Sequence, residues 1–177
     1  MGSKTTGILR LRLRMTRVVD YDCGVNLKQN GIVLRGYRPG DWKAMYALDL
    51  VCFEPPFRFS EREMRRFAEE RGAICVLAET GRGKLAGFCI AHLEGKWAYV
   101  VTLDVAPEWR RQRLAARLMA DVEEQARAAG AGGMGLHVYN GNAGAIRFYE
   151  RIGYGRVGMA EGFYGRGLDA LVYRKRW

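Results

Sequence analysis

From Ile32 to Arg38 apolar and polar residues alternate as in a strand. Pro39-Gly40 stops the run, and Asp41 stands where a cap would open a helix reaching about Val51. Residues 52–59 form an aromatic, proline-bearing loop, after which Ser60 and Glu63 make a capping box for a second helix that ends near Gly72. Residues 73–79 and 85–93 predict strands joined through Gly81-Arg82-Gly83, a hairpin signal, and Glu94-Gly95 leads into a third strand over 96–105. Past Pro107 the period lengthens from two to about 3.6. Leu114, Leu118, Val122 and Ala126 then share one face of a helix that Gly130 closes. A strand over 134–139, a helix over 143–152 stopped by Gly153, and strands near 154–159 and 169–174 complete the chain. The predicted order is β-α-α-β-β-β-α-β-α-β-β. A meander running into β-α-β-α belongs to the α/β (α+β) class, with a mixed sheet and helices on both faces.

Composition narrows the picture. With 177 residues, 49% of them hydrophobic and 27% charged, the chain has apolar content for a real core and too little length for two large domains. Its net charge is +10, and residues 1–40 carry +6 of it through Lys4, Arg10, Arg12, Arg14, Arg17, Lys28, Arg35 and Arg38 against Asp20 and Asp22. That balance points to an anionic partner. The chain therefore divides into a basic N-terminal arm over 1–30 and a folded domain over 31–177. The arm reads as a disordered extension or as an over-extended start with Met15 as initiator. It has no zinc-finger or RNP-like pattern beside it, which disfavours nucleic-acid binding as the main role. Cys23, Cys52, Cys75 and Cys89 are widely spaced, and only His92 and His137 could join them, so neither a disulfide scaffold nor a metal centre has the required spacing. A reducing, cytoplasmic compartment is expected. No apolar stretch approaches the ~20 residues of a membrane span.

The chemistry concentrates in residues 105–118, where a strand feeds a short basic turn and then a helix. The unpaired N–H groups of that helix N-terminus, ringed by Arg110, Arg111, Arg113 and Arg117, suit a phosphate; a solvated basic face is the plainer reading. This turn resembles the GNAT superfamily of acetyl-CoA-dependent N-acetyltransferases, whose signature here is Arg/Gln-x-x-Gly-x-Gly/Ala. Arg110-Arg111-Gln112-Arg113-Leu114-Ala115 matches at its ends and departs at Arg113, where glycine is usual. Downstream, Asn142, Ala145, Tyr149 and Gly153 fall at the spacings of the family's second block. The resemblance covers roughly residues 32–177. It implies a mostly antiparallel sheet splayed where the strands over 99–105 and 134–139 diverge. It also implies acetyl-CoA as cosubstrate, no metal, and coenzyme contacts from Leu103, Val105, Arg110, Arg111, Arg113, Leu114, Ala115, Ala116, Asn142 and Tyr149.

By the same resemblance Tyr149 sits near the coenzyme sulfur as acid, and backbone N–H groups near Leu103 to Val105 polarise the thioester carbonyl. His137 alternates with Leu136 and Val138, so it points to the opposite face of the sheet from those two residues. It is either a structural histidine or, with an ordinary pKa near ~6.5, the base; Tyr99 matches a second base position in one subfamily. Asp104, of opposite parity to Tyr99, is expected to pair with an arginine. Phe53, Glu54 and Phe57 resemble the first acceptor loop of the N-terminal amine acetyltransferases, and Phe163 and Tyr164 resemble the second. Glu54 would face a cationic amine or simply lie at the surface. The acceptor implied is a protein N-terminal α-amine, with ribosome association through the arm. The alternatives are a small amine (polyamine, amino acid or aminoglycoside), or a degenerate GNAT domain serving as a binding module.

Overall fold

The structure, a computed structural model, describes residues 31–177; the basic arm over 1–30 and Cys23 lie outside the described residues. The elements follow the predicted order: β1 (Ile32–Gly36), α1 (Trp42–Cys52), α2 (Glu61–Glu69), β2 (Ala73–Thr80), β3 (Leu85–Glu94), β4 (Trp97–Val105), α3 (Leu114–Ala128), β5 (Gly133–Tyr139), α4 (Ala143–Arg151), β6 (Gly155–Ala160) and β7 (Ala170–Arg176). A short 3-10 turn at Pro107–Trp109, not expected from the sequence, leads out of β4.

The capping box at α2 forms as read, with Ser60 Oγ accepting from the Glu63 amide and the Glu63 carboxylate accepting from the Ser60 amide at 2.8 Å. Asp41 precedes α1 but does not cap it. Its carboxylate accepts instead from the Arg35 guanidinium at 2.6 and 3.0 Å and from the Arg38 amide at 2.6 Å, tying β1 to the helix start. Helix α2 also stops at Glu69, three residues short of Gly72.

The strands make one seven-stranded sheet ordered β1-β2-β3-β4-β5-β7-β6, antiparallel except for β4 against β5. That parallel contact is brief, covering Ala98 with Met134 and Tyr99 with Gly135; beyond it the two strands part. Helices α3 and α4 bury Leu118, Val122, Phe148 and Tyr149 on one face, against Val100, Leu103, Leu136 and Val138. Helices α1 and α2 cover part of the other face with Met45, Met64 and Phe67, against Leu77, Phe88, Ile90 and Val101. The opening between β4 and β5 is therefore reached from both sides of the sheet.

Candidate active site

At the mouth of this opening the chain leaves β4 through the 3-10 turn and enters α3 by an unusual backbone. Arg111 and Arg113 both have positive φ, 61° and 59°. Arg113, at ψ 10°, is left-handed and precedes the first helical residue. An L side chain pays for that conformation and glycine does not, which is the conformational reason for the glycine in the family signature. No side chain caps α3, and its first turn holds no acidic residue. The N–H groups of Leu114, Ala115 and Ala116 precede the first intrahelical bond, which runs from the Arg117 amide to the Arg113 carbonyl at 3.1 Å. Arg110 turns back and donates Nε to the Val105 carbonyl at 3.0 Å. Leu103 and Val105 end the strand beside this turn, on the edge that β5 leaves open. Leu103, Val105, Arg110, Arg111, Arg113 and Leu114 to Ala116 thus lie along the end of β4 and the uncapped N-terminus of α3, whose N–H groups and dipole suit an anion, while Asn142 and Tyr149 come from α4.

Tyr149, from α4, is fully buried in the core against the rings of Phe148 and Tyr154. Asn142 Oδ1 accepts from the Ala145 amide at 3.1 Å and caps that helix, so this side chain fixes where the helix bearing Tyr149 starts. The Tyr149 hydroxyl is enclosed without a hydrogen-bond partner. Burial pushes its pKa well above the usual 10, and the neighbouring Cys89, Tyr164 and Asp104 push it further. The phenol keeps its proton and has no acceptor for it among the described residues.

On the opposite face, β4 carries a bulge. Ile90 pairs with Thr102 and Ala91 with Val100, leaving Val101 as an extra residue. Val101, Thr102 and Asp104 consequently share the α1 side of the sheet with Tyr99. The parity read from strict alternation is thus corrected: Tyr99 and Asp104 are on the same face. Among the described residues no arginine is hydrogen-bonded to Asp104, although the charge of Arg110 acts on it; its carboxylate accepts from Thr102 Oγ1 at 2.5 Å. Strand β5 is regular, and His137 faces away from Leu136 and Val138 as read. A Cβ at Gly135, two residues earlier, would lie 2.8 Å from Tyr99 Cε1, so the phenol of Tyr99 lies over β5 on the side that bears His137.

His137 stacks on Phe163, ring centroids 4.1 Å apart and 7° between planes, and its buried Nδ1 has no partner. Burial, with the charge of Arg174, lowers its pKa to about 4, so the expectation of a base near ~6.5 is corrected. The aromatic loops close one end of this face. Phe57 packs on Tyr139 at 5.1 Å and on Tyr164 at 5.2 Å, and Tyr164 donates its hydroxyl to the His137 carbonyl at 3.2 Å. The loop bearing Phe163 and Tyr164 is held by the Gly162 amide on the Asp169 carboxylate at 2.8 Å. Phe53 is buried at the end of α1. Glu54 is exposed and bridged to Arg58 at 3.2 Å, so it lies at the surface instead of facing into the site.

Sequence reasoning missed Tyr139, whose parity with His137 would have revealed it, and Asp49. The latter is fully buried on α1, its Oδ2 accepting from the Phe59 amide at 3.0 Å and its Oδ1 unpartnered. Burial raises its pKa to about 7; burial also raises that of Asp104, and the charge of Asp49 adds to it. Among the described residues no group of three His, Cys, Asp or Glu side chains is placed to hold a metal ion, and no helix is long and apolar enough to cross a membrane.

Comparison with known proteins agrees with this geometry. N-alpha-acetyltransferase 20 of Dictyostelium discoideum is 38% identical over 108 residues, 58% of this chain and 62% of that protein. Streptothricin acetyltransferase of Streptomyces lavendulae is 34% identical over 100 residues, 55% of this chain and 51% of that protein. The chain thus aligns with between half and two thirds of the length of these two curated relatives. The crystal structure of the ribosomal-protein-S18-alanine N-acetyltransferase from Escherichia coli superposes with a TM-score of 0.72 at 22% identity, covering 82% of this chain and 93% of that one, which establishes likeness of fold. The pattern of the acetyltransferase (GNAT) family runs through residues 42–154, from the start of α1 past Tyr149 and Gly153, and the chain belongs to that family.

Proposed function

We propose that this protein transfers an acetyl group from acetyl-CoA to the α-amine of a protein or peptide N-terminus, in the cytoplasm, with the basic arm able to draw it to an anionic surface such as the ribosome. The observation that carries this reading is that Tyr99 and His137 share the face of the sheet opposite α3, Tyr99 over Gly135 and His137 two residues further along β5, with the rings of Phe57, Tyr139, Phe163 and Tyr164 packed beyond them. The gap between β4 and β5 beyond Tyr99 and Gly135 supports a passage from the α3 turn to this face. Among the described residues Tyr149 OH, His137 Nδ1 and Asp104 Oδ2, with Asp49 Oδ1 and Arg117 Nη1, are buried without a hydrogen-bond partner, as befits a site completed by its substrates.

The α3 turn holds the diphosphate through backbone N–H groups, and the open edge of β4 near Leu103 to Val105 offers donors to the thioester carbonyl. An α-amine with a pKa near ~8 keeps roughly a tenth of its molecules neutral at pH 7, whereas a lysine at ~10.4 keeps fewer than about one in a thousand. The lowered pKa of His137 makes that difference decisive. An imidazole at about 4 is some four pKa units too weak to strip an ammonium ion, a deficit of about 5 kcal/mol. The amine enters neutral, and His137 with Tyr99 takes its proton once the N–C bond has begun to form and the nitrogen has become acidic. Tyr149, protonated and enclosed, donates its hydroxyl to the charge that develops on the departing sulfur.

Acetylation of a peptide library read by mass spectrometry tests this reading; modification at α-amines is the expected result. An unmodified library alongside acetylated streptothricin or spermidine would transfer the acceptor to the small-amine class that the streptothricin relative represents. No saturable heat with acetyl-CoA in a calorimeter would leave a binding module.

A further inference from the structure

The acceptor face continues beyond Tyr99. In the β5–β7 ladder His137 opposes Val172, Gly135 opposes Arg174 and Gly133 opposes Arg176. Directly opposed residues share a face, so both arginines stand on the His137 side of the sheet. Trp97 joins them there: a Cβ at Gly133 would lie 2.7 Å from Trp97 Cζ3, and the two guanidinium carbons lie 5.1 and 5.2 Å from the centre of the indole ring. Stacking on the indole holds both guanidinium planes in place. Neither is bridged to a carboxylate among the described residues, and both side chains are exposed. The opposite end of the face is filled by the packed rings of Phe57, Tyr139 and Tyr164. A chain whose first residue sits at His137 has its way out over Tyr99 and Trp97.

We propose that Trp97, Arg174 and Arg176 form a subsite for acidic side chains at the third and fifth residues of the acceptor peptide. This inference rests on the N-terminal acceptor reading given above. The positions follow from strand geometry. An extended peptide advances about 3.3 Å per residue, the same step as β5, and presents alternate side chains to one face. With its amine at the level of His137, the peptide brings residue three level with Gly135 and Arg174, and residue five level with Gly133 and Arg176. Residues two and four point the other way. Arg174 is also close enough for its charge to act on the His137 ring, so a carboxylate bound there sits next to the reacting end of the peptide.

The test compares N-terminally free heptapeptides that differ only at residues three and five, carrying Asp, Ala or Lys, in steady-state assays with acetyl-CoA. The Asp peptide should exceed the Ala peptide by roughly 3- to 10-fold in kcat/KM, through KM, with the margin shrinking in 0.5 M salt. Moving the aspartates to residues two and four should abolish the preference. In Arg174→Gln/Arg176→Gln the Asp-to-Ala ratio should fall toward one, and in Arg174→Glu/Arg176→Glu the Lys peptide should become the better substrate. Equal rates for all tails, with peptides still acetylated, would overturn the subsite and leave the N-terminal reading standing. Equal rates together with arginine-dependent binding of poly(U) would make this face a nucleic-acid surface instead. If no peptide is acetylated, the N-terminal reading fails and takes the subsite with it.

Discussion

Replacing Arg113 by glycine isolates what the backbone contributes at the coenzyme turn. Arg113 holds φ 59° and ψ 10°, a left-handed conformation that costs an L residue about 1–2 kcal/mol. Glycine escapes that cost and gives back roughly 0.5–1 kcal/mol through the greater freedom of its unfolded chain. The net expectation is a gain of about 0.5–1 kcal/mol, or a Tm higher by roughly 1–4 °C in a domain of this size. Arg113 is exposed, so losing its charge beside a bound diphosphate removes a weak, screened attraction. Coenzyme Kd should stay within about threefold of the wild type, or tighten as the turn relaxes. Arg113→Ala is the control, because it loses the same charge while keeping the backbone cost. Differential scanning fluorimetry and calorimetric titration of acetyl-CoA measure both quantities. If both variants bind coenzyme more than tenfold more weakly, the guanidinium itself is a ligand and the backbone account is wrong. A glycine variant melting below the alanine variant would refute the strain argument directly.

Tyr149→Phe should lower kcat by roughly 10²–10⁴-fold while moving coenzyme Kd less than twofold, and an unchanged kcat would make Tyr149 a packing residue. For His137→Gln, the ascending limb of kcat/KM near pH ~8 should persist and follow the amine pKa when acceptors are exchanged, because the imidazole titrates near 4; a limb lost with the histidine would restore it as the base for ammonium. The same low pKa makes the unfolded state bind more protons between about 4 and 6.5. The histidine's share of stability is therefore full above ~6.5 and falls as the pH drops through that window, and His137→Gln should flatten this part of a Tm-versus-pH curve. Asp49 has the opposite sign. With a folded pKa near 7 against ~3.9 unfolded, it costs stability progressively as pH rises from about 4 to 7, so Asp49→Asn should remove that fall across the same window; an unaltered slope would show that the carboxyl is ionised in the fold.

The order of the elements was legible because each signal was local: the capping box at Ser60, the change of period at Leu114, the stop at Gly153. The departure at Arg113 could also be read in the sequence, though not the backbone that it adopts. Faces were legible where a strand is regular, as for His137 on β5. They failed where one is not. A bulge at Val101 leaves no mark in the residue pattern, and every parity carried across it, including that between Tyr99 and Asp104, came out reversed. The identity of a buried carboxylate's partner is likewise a tertiary fact. Asp104 has Thr102 two residues away on a bulged strand, where sequence proximity to a run of arginines suggested a salt bridge. Trp97 comes from the middle of the domain and Arg174 and Arg176 from its last strand, and only the β5–β7 register and the ring contacts show that they meet.

The short parallel seam at Ala98–Met134 and Tyr99–Gly135 has a mechanical consequence. On one side of it lie β1 to β4, an antiparallel ladder; on the other lie β5, β7 and β6, a second ladder with its own turn. The backbone joins the two blocks through α3, and the sheet stitches them at one end only. Whatever lies between the strands at the open end completes the lattice of backbone hydrogen bonds that the protein leaves unfinished. On the reading proposed above, the pantetheine arm of the coenzyme would occupy that gap. Coenzyme at a hundred times its Kd then adds about 2.7 kcal/mol to folding, and the gain should appear as slowed amide exchange along the facing edges of β4 and β5 more than in the outer strands. On that reading the cosubstrate would act as a temporary strand, taken out of the sheet and put back at each turnover.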